Sequence, residues 1–82
     1  MPADDMERLQ TRIAQVNELL RRKGGQHLQV RAIWDEKSGE VWIRTDMVED
    51  DGTRHRRQES PPLTPAKALD FVDAILRTLQ KS

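Results

Sequence analysis

The order of apolar and polar positions divides the chain into two helices flanking a run of strands. Met6, Leu9, Ile13, Val16 and Leu20 recur at alternating steps of three and four, with Leu19 widening the stripe, the spacing of one helical face. Asp4 and Asp5 are placed to cap its start. Glu7 adds negative charge to the first turn, and Arg21, Arg22 and Lys23 add positive charge to the last, as the helix dipole favours. Gly24-Gly25 ends it, since one glycine can take the left-handed position beyond the last turn. The stripe also fits a short heptad seam. Fewer than three heptads do not define a coiled coil, so it is expected to cover a sheet rather than join two copies.

From Leu28 to Met47 the period changes to two. Leu28, Val30, Ala32 and Trp34 share one face, with Gln29, Arg31 and Ile33 on the other. Glu36-Lys37-Ser38-Gly39 is a polar loop suited to a type I turn closed by a left-handed glycine. Pairing Asp35 with Glu40 sets Trp34 opposite Val41, Ala32 opposite Ile43, Val30 opposite Thr45 and Leu28 opposite Met47. Apolar partners then share a face, and Arg31 stands opposite Arg44. Asp51-Gly52 predicts a second hairpin with a two-residue loop. That register pairs Glu49 with Arg54, Val48 with His55, Asp46 with Arg57 and Arg44 with Glu59. The third strand, residues 53–59, has no large apolar residue, as suits a charged sheet edge. Ser60-Pro61-Pro62 stops it, because proline has no amide for the ladder. Thr64 and Pro65 open the last helix as N-cap and first residue. Its arc of Ala68, Leu69, Phe71, Val72, Ile75, Leu76 and Leu79 is expected to be the main packing element, with Leu63 stapled onto it.

Composition thins this picture. The 82 residues are 35% apolar and 34% charged, which leaves material for one layer of helices on one sheet face. The absence of cysteine excludes disulfides and thiolate metal sites. Fourteen basic and fourteen acidic residues cancel, so the overall positive field of a strong nucleic-acid binder is missing. The first residues are acidic and polar, unlike a signal peptide. No apolar run is long enough to span a bilayer. A soluble protein of the bacterial or cytosolic kind is expected.

Candidate chemistry is sparse. Neither His27 nor His55 falls in a catalytic motif, and the serines lack a base and an orienting group at recognisable spacing. Glu49-Asp50-Asp51 lacks the alternating oxygen ligands of a calcium loop. Gly24-Gly25 follows a helix instead of opening one, so it does not cradle phosphate. No catalytic, cofactor-binding or metal-ligating residue is therefore assigned. What remains is a surface. Ile33 lies beside Trp42 among Arg31, Arg44, Gln29 and Asp46, and Arg54, Arg56 and Arg57 continue it along the edge strand. An aromatic–aliphatic pair on a solvated face is ordinary, and arginines can stack on it. Acids directly upstream make the basic strand a charge-answered edge ahead of a phosphate grip. The patch is the best candidate for docking a protein partner.

Taken together, Val16-Asn17-Glu18-Leu19-Leu20, Leu28, Asp35-Glu36-Lys37-Ser38-Gly39, Val41, Ile43, Gly52, Arg57-Gln58 and Pro61-Pro62 give an order of motifs that resembles the FlaG family of bacterial flagellar proteins. The likeness runs from about Ile13 to Leu79. Glu59-Ser60 stands where the family has an isoleucine before the prolines, which removes an apolar anchor from the third strand. The resemblance implies a non-enzymatic protein associated with flagella, acting on filament assembly or length, and it carries no catalytic residues.

The expected architecture is α+β, a single small domain over residues 1–82. An N-terminal helix, a three-stranded antiparallel β-meander and a C-terminal helix follow one another. Both helices pack on the face built by Leu28, Val30, Trp34, Val41, Ile43 and Met47. The expected function is a FlaG-like accessory role through protein–protein contacts, cytoplasmic or flagellum-associated, as monomer or homodimer, with no cofactor and no membrane. A general interaction module that adds a partner strand at its edge is the alternative. A nucleic-acid binder acting through Arg54, Arg56 and Arg57, and an enzyme, rank below both.

Overall fold

The computed structural model describes residues 3–25 and 27–81. Helix α1 (Ala3–Arg22) leads to β1 (Leu28–Trp34), β2 (Val41–Val48) and β3 (Arg54–Glu59), and α2 (Pro65–Lys81) follows. The strands form one antiparallel sheet in the order β1-β2-β3. Both helices lie on the same face, α1 against β1 and α2 against β2, and they pack on each other. The expected α+β architecture is thus the one observed.

The helix ends follow local chemistry. Ala3 is already helical, so Asp4 and Asp5 sit in the first turn instead of capping it, still at the positive end of the dipole. At the other end Gly24 takes φ 86° and Gly25 N–H reaches Leu20 O at 2.7 Å. Gln26, expected to lead into β1, lies outside the described residues. Thr64 caps α2 as expected: its Oγ1 accepts from Lys67 N–H at 3.3 Å. Among the described residues no helix is long and apolar enough to cross a membrane.

The two helices and the sheet share the core equally. Leu9, Ile13 and Val16 come from α1, Val30, Val41 and Ile43 from the sheet, and Ala68, Val72 and Leu76 from α2. Each large side chain buried this way contributes about 1.5–3 kcal/mol. The last helix is therefore an equal partner, not the main packing element. Phe71, expected in its arc, is 39% exposed. Of the predicted floor, Val30, Val41 and Ile43 are buried and Trp34 packs against the cluster, while Leu28 and Met47 are only half-buried.

The β1–β2 register is the expected one at every position from Leu28↔Met47 to Trp34↔Val41. The turn closes through Asp35 N–H to Glu40 O at 2.9 Å, with Gly39 at φ 74°. The β2–β3 register differs from the expected one. Glu49 N–H bonds Thr53 O at 2.8 Å, so the loop holds three residues, Asp50-Asp51-Gly52, with Gly52 at φ 90°. A type I turn followed by a left-handed glycine replaces the two-residue loop, and Asp51 Oδ1 steadies it by accepting from Thr53 N–H at 2.9 Å. The extra loop residue sets Val48 opposite Arg54, Met47 opposite His55 and Asp46 opposite Arg56. A bulge at Thr45/Asp46 then absorbs Arg57 and restores Arg44↔Glu59.

Two polar side chains finish what the strands leave open. Asp35 N–H pairs with Glu40 and Val48 N–H with His27, so odd residues of β1 turn their peptide groups toward β2 and even residues toward the free edge. At that edge Asn17 of α1 serves both groups of Val30: its Oδ1 accepts the N–H at 2.8 Å and its Nδ2 donates to the C=O at 3.0 Å. Asn17 thus stands in for a neighbouring strand and fixes α1 to β1. Beyond β3, buried Ser60 accepts from Ile43 N–H through Oγ at 2.9 Å and donates to Pro61 O at 2.9 Å, keeping the ladder intact ahead of the prolines. Leu63 then pairs with Val41 through two backbone bonds of 2.9 Å and packs against the core.

Replacing Asn17 by alanine leaves both edge groups of Val30 without their partner. Urea unfolding is expected to show a loss of about 1–3 kcal/mol, and Asn17→Leu, which restores apolar contact but no hydrogen bonds, is expected not to recover it.

Candidate functional site

The sheet face turned away from the helices carries the predicted patch. On β1 it presents Gln29, Arg31 and Ile33, and on β2 Trp42, Arg44, Asp46 and Val48. Cross-strand partners share a face, so the register adds Arg54, Arg56 and Glu59 of β3. Ile33 and Trp42 are direct partners, and both are half-buried.

The centre of this face is Asp46, 0% exposed on the middle strand. Arg44 Nε donates to its Oδ1 at 2.7 Å. Arg31 Nε lies 3.1 Å from Oδ2, and Arg54 Nη1 lies 3.6 Å from Oδ2. The carboxylate is roofed by these side chains, which themselves stay 40%, 25% and 40% exposed for Arg31, Arg44 and Arg54. It is thus shallow yet out of contact with water. Burial pushes its pKa up, but the Arg44 hydrogen bond and the charges of Arg44, Arg31 and Arg54 outweigh this and hold it below the ordinary 3.8. Arg31 Nε and Asp46 Oδ2 are both enclosed without an aligned hydrogen bond, so that contact acts through charge.

The cluster resolves a conflict in the hairpin register. Arg31 and Arg44 face each other directly, and like charges so placed repel by roughly 0.2–1 kcal/mol. Asp46, two residues on from Arg44 and on the same face, takes both. Gln29 accepts from Arg54 Nη1 and fixes the third guanidinium. Farther out, Arg56 Nη1 donates to Glu59 Oε2 at 3.0 Å. Four arginines, Arg31, Arg44, Arg54 and Arg56, then stand against Asp46 and Glu59 on the strands, and Asp35 and Glu40, which continue the alternation of β1 and β2 at the turn, bring the face to 4 − 4 = 0.

Most of the predicted surface is therefore brought together. Arg31, Arg44 and Arg54 surround Asp46, Ile33 and Trp42 adjoin them, and Arg56 extends the set. Arg57 does not join: it is the bulge residue without a cross-strand partner. The expected Asp46–Arg57 and Glu49–Arg54 pairs are replaced by Arg54–Asp46 and by His55 Nε2–Glu49 Oε1 at 3.3 Å. Asp46 was not singled out by sequence reasoning as an organising residue. The available signal was the Arg31–Arg44 opposition, which calls for an anion on the same face.

Other chemistry lies elsewhere. His27 is exposed, its Nδ1 3.1 Å from Val48 O. Among the described residues no three His, Cys, Asp or Glu side chains are grouped to hold a metal. A broad open groove between the helices is lined by Asp4, Asp5, Glu7, Asp70 and Asp73 with Arg8 and Arg12. The lining of this groove carries more acid than base. The chain matches no protein-family model, no curated protein and no solved structure.

Asp46→Asn is expected to cost about 2–4 kcal/mol at neutral pH, because it strands two facing arginines. The lower part of that range applies since the guanidiniums reach water. The folded-state pKa lies below 3.8, so the carboxylate's contribution is present above that value and lost as pH falls through the folded pKa. Urea titrations of both proteins are expected to show a constant gap from about pH 7 to about pH 5, closing only under stronger acid.

Proposed function

We propose that this protein is a non-catalytic docking module that binds another protein through the open face of its sheet. Ile33 and Trp42 are the apolar anchors, and Arg31, Arg44, Arg54 and Arg56 form the polar surround. The observation that carries this reading is the one-sided use of the helices: both cover the inner face, leaving Trp42 and Ile33 on a rigid, uncovered strand pair. Tryptophan and arginine are the residue types that most often dominate protein interfaces, and sites on strands hold their geometry better than sites on loops. The face presents no nucleophile, and its buried carboxylate is committed to the arginines.

The setting we propose is flagellar, with the protein cytoplasmic or flagellum-associated and acting on filament assembly or length. Its support is the FlaG-like order of motifs along the sequence. Affinity purification of the full chain from flagellated cells is expected to recover a flagellar protein. Trp42→Ala with Ile33→Ala is expected to lose that partner while the domain still unfolds cooperatively, with a melting temperature lowered by about 4–10 °C, as loss of a half-buried cross-strand pair requires. Retention of the partner by the double variant contradicts the docking face. A non-flagellar partner, with unaltered filaments in a deletion strain, contradicts the setting.

A further inference from the structure

β1 and β3 are the two edges of the sheet, and they are finished differently. β3 is exposed at every residue, with Arg54, Arg56 and Arg57 along it, and among the described residues neither helix touches it. Charge so placed discourages a further strand. β1 instead has α1 beside it. Gln10, Ile13 and Asn17 of α1 and Val30, Ala32 and Trp34 of β1 line the two walls of one groove. Met6, which is exposed, lies one turn before Gln10 on the same helical line as Ile13 and Asn17.

The even residues of β1 turn their peptide groups toward this groove. Leu28 N–H is taken by Gly25 O at 2.9 Å, and both groups of Val30 by Asn17. Ala32 and Trp34, next in the same row, have no such partner among the described residues. Their N–H and C=O groups form two donor–acceptor pairs about 6.7 Å apart, the period of alternate strand residues. The complement to such a row is another extended backbone. Asn17 shows the geometry in use, since its amide makes at Val30 the two bonds that a neighbouring strand would make.

We propose that Ala32 and Trp34 are the receiving edge for an extended segment of a partner protein, which adds to β1 as a fourth strand inside this groove. The segment's residues opposite Ala32 and Trp34 share their face. They are apolar, because they lie toward Ile13, Met6 and half-buried Trp34. The residue between them falls on the other face beside Ile33 and is aliphatic. Three consecutive apolar residues between polar ones are therefore the recognised pattern. By occupying Val30, Asn17 limits the length of the added strand. A second copy of this chain is not the occupant. Asn17 reaches the outer edge of Val30 from α1, which places α1 over that edge. Pairing two β1 strands about a two-fold axis would set two α1 helices over strands about 4.8 Å apart, whereas packed helices need about 8–10 Å. The backbone row is distinct from the open face that Trp42 occupies, and its occupancy does not depend on docking there.

The test uses the full isotope-labelled chain and the capped peptide GKTVIVTEG, with two N-methylated versions, one at both valines and one at the isoleucine. In the free chain the amides of Ala32 and Trp34 are expected to exchange at least about tenfold faster than those of Arg31 and Ile33, which face β2. The unmodified peptide is expected to slow exchange at Ala32 and Trp34 at least about tenfold. Methylating both valine amides is expected to abolish this, and methylating the isoleucine amide to preserve it, because only alternate amides face β1. Ala32→Pro removes an edge donor without breaking a ladder bond, and is expected to weaken binding at least about tenfold. Met6→Glu, at an exposed helical position, leaves the strand unaltered and is expected to act in the same direction. No protection at Ala32 and Trp34, equal binding of the two methylated peptides, or peptide-free protection that rises with protein concentration overturns the proposal. Peptide binding that moves the Trp42 indole and survives Ala32→Pro overturns it and leaves the open-face reading standing. A cellular partner lost with Ala32→Pro and kept by Trp42→Ala supports the edge and contradicts the open face.

Discussion

Asp46 occupies the middle of a sheet face that no helix covers, and it is nevertheless out of contact with water. Three arginines from three strands make this possible. Arg31 comes from β1, Arg44 from β2 itself and Arg54 from β3, so one carboxylate ties the whole width of the sheet. Without it, the register that buries Val30, Val41 and Ile43 on the inner face would force Arg31 against Arg44 on the outer one. The inner core and the outer ion cluster are thus two consequences of one strand alignment. The cluster removes the electrostatic penalty of the alignment that the core requires. β3 depends on it further, because every residue of that strand is exposed and no apolar side chain holds it in place.

The same economy recurs wherever this thin domain lacks another layer. Asn17 takes the role of a fourth strand at Val30, and Ser60 that of a further ladder residue at Ile43. Each is a polar side chain satisfying backbone groups that burial would otherwise leave unpaired. The effect is to reserve the apolar residues for one face. The other face is left free to carry Trp42, Ile33 and the arginines gathered around Asp46. That face is rigid because it is built on strands.

Local rules carried much of this. Stripe spacing located both helices, and alternation fixed every β1–β2 pair, because a slip by one residue would have placed Trp34 on the polar face. The β2–β3 pairing was less legible. A strand without large apolar residues offers no burial constraint, so a one-residue difference in loop length, three residues ending in Gly52 instead of two, shifted the register until the bulge at Arg57 corrected it. Charge pairing selected Asp46–Arg57 in place of Asp46–Arg54 because both are plausible until the bulge is known. Asp46 itself lay hidden for a different reason. An aspartate on a polar face reads as solvated, and its burial arises only when side chains from separate strands close over it. Asn17, in the last turns of α1, gave a sequence signal only as a polar residue at the border of the helical stripe.

The coupling between Arg44 and Asp46 tests this picture most directly. A double-mutant cycle of Arg44→Gln and Asp46→Asn, followed by urea unfolding at neutral pH, isolates their interaction from the other effects of each substitution. An interaction of at least about 1.5 kcal/mol is the expected result for an enclosed, hydrogen-bonded charge pair, set against a control cycle of Arg57→Gln with Asp46→Asn that is expected to lie near zero. An Arg44–Asp46 coupling within about 0.5 kcal/mol of zero, the level of independent sites, would contradict the view that this carboxylate organises the outer face of the sheet.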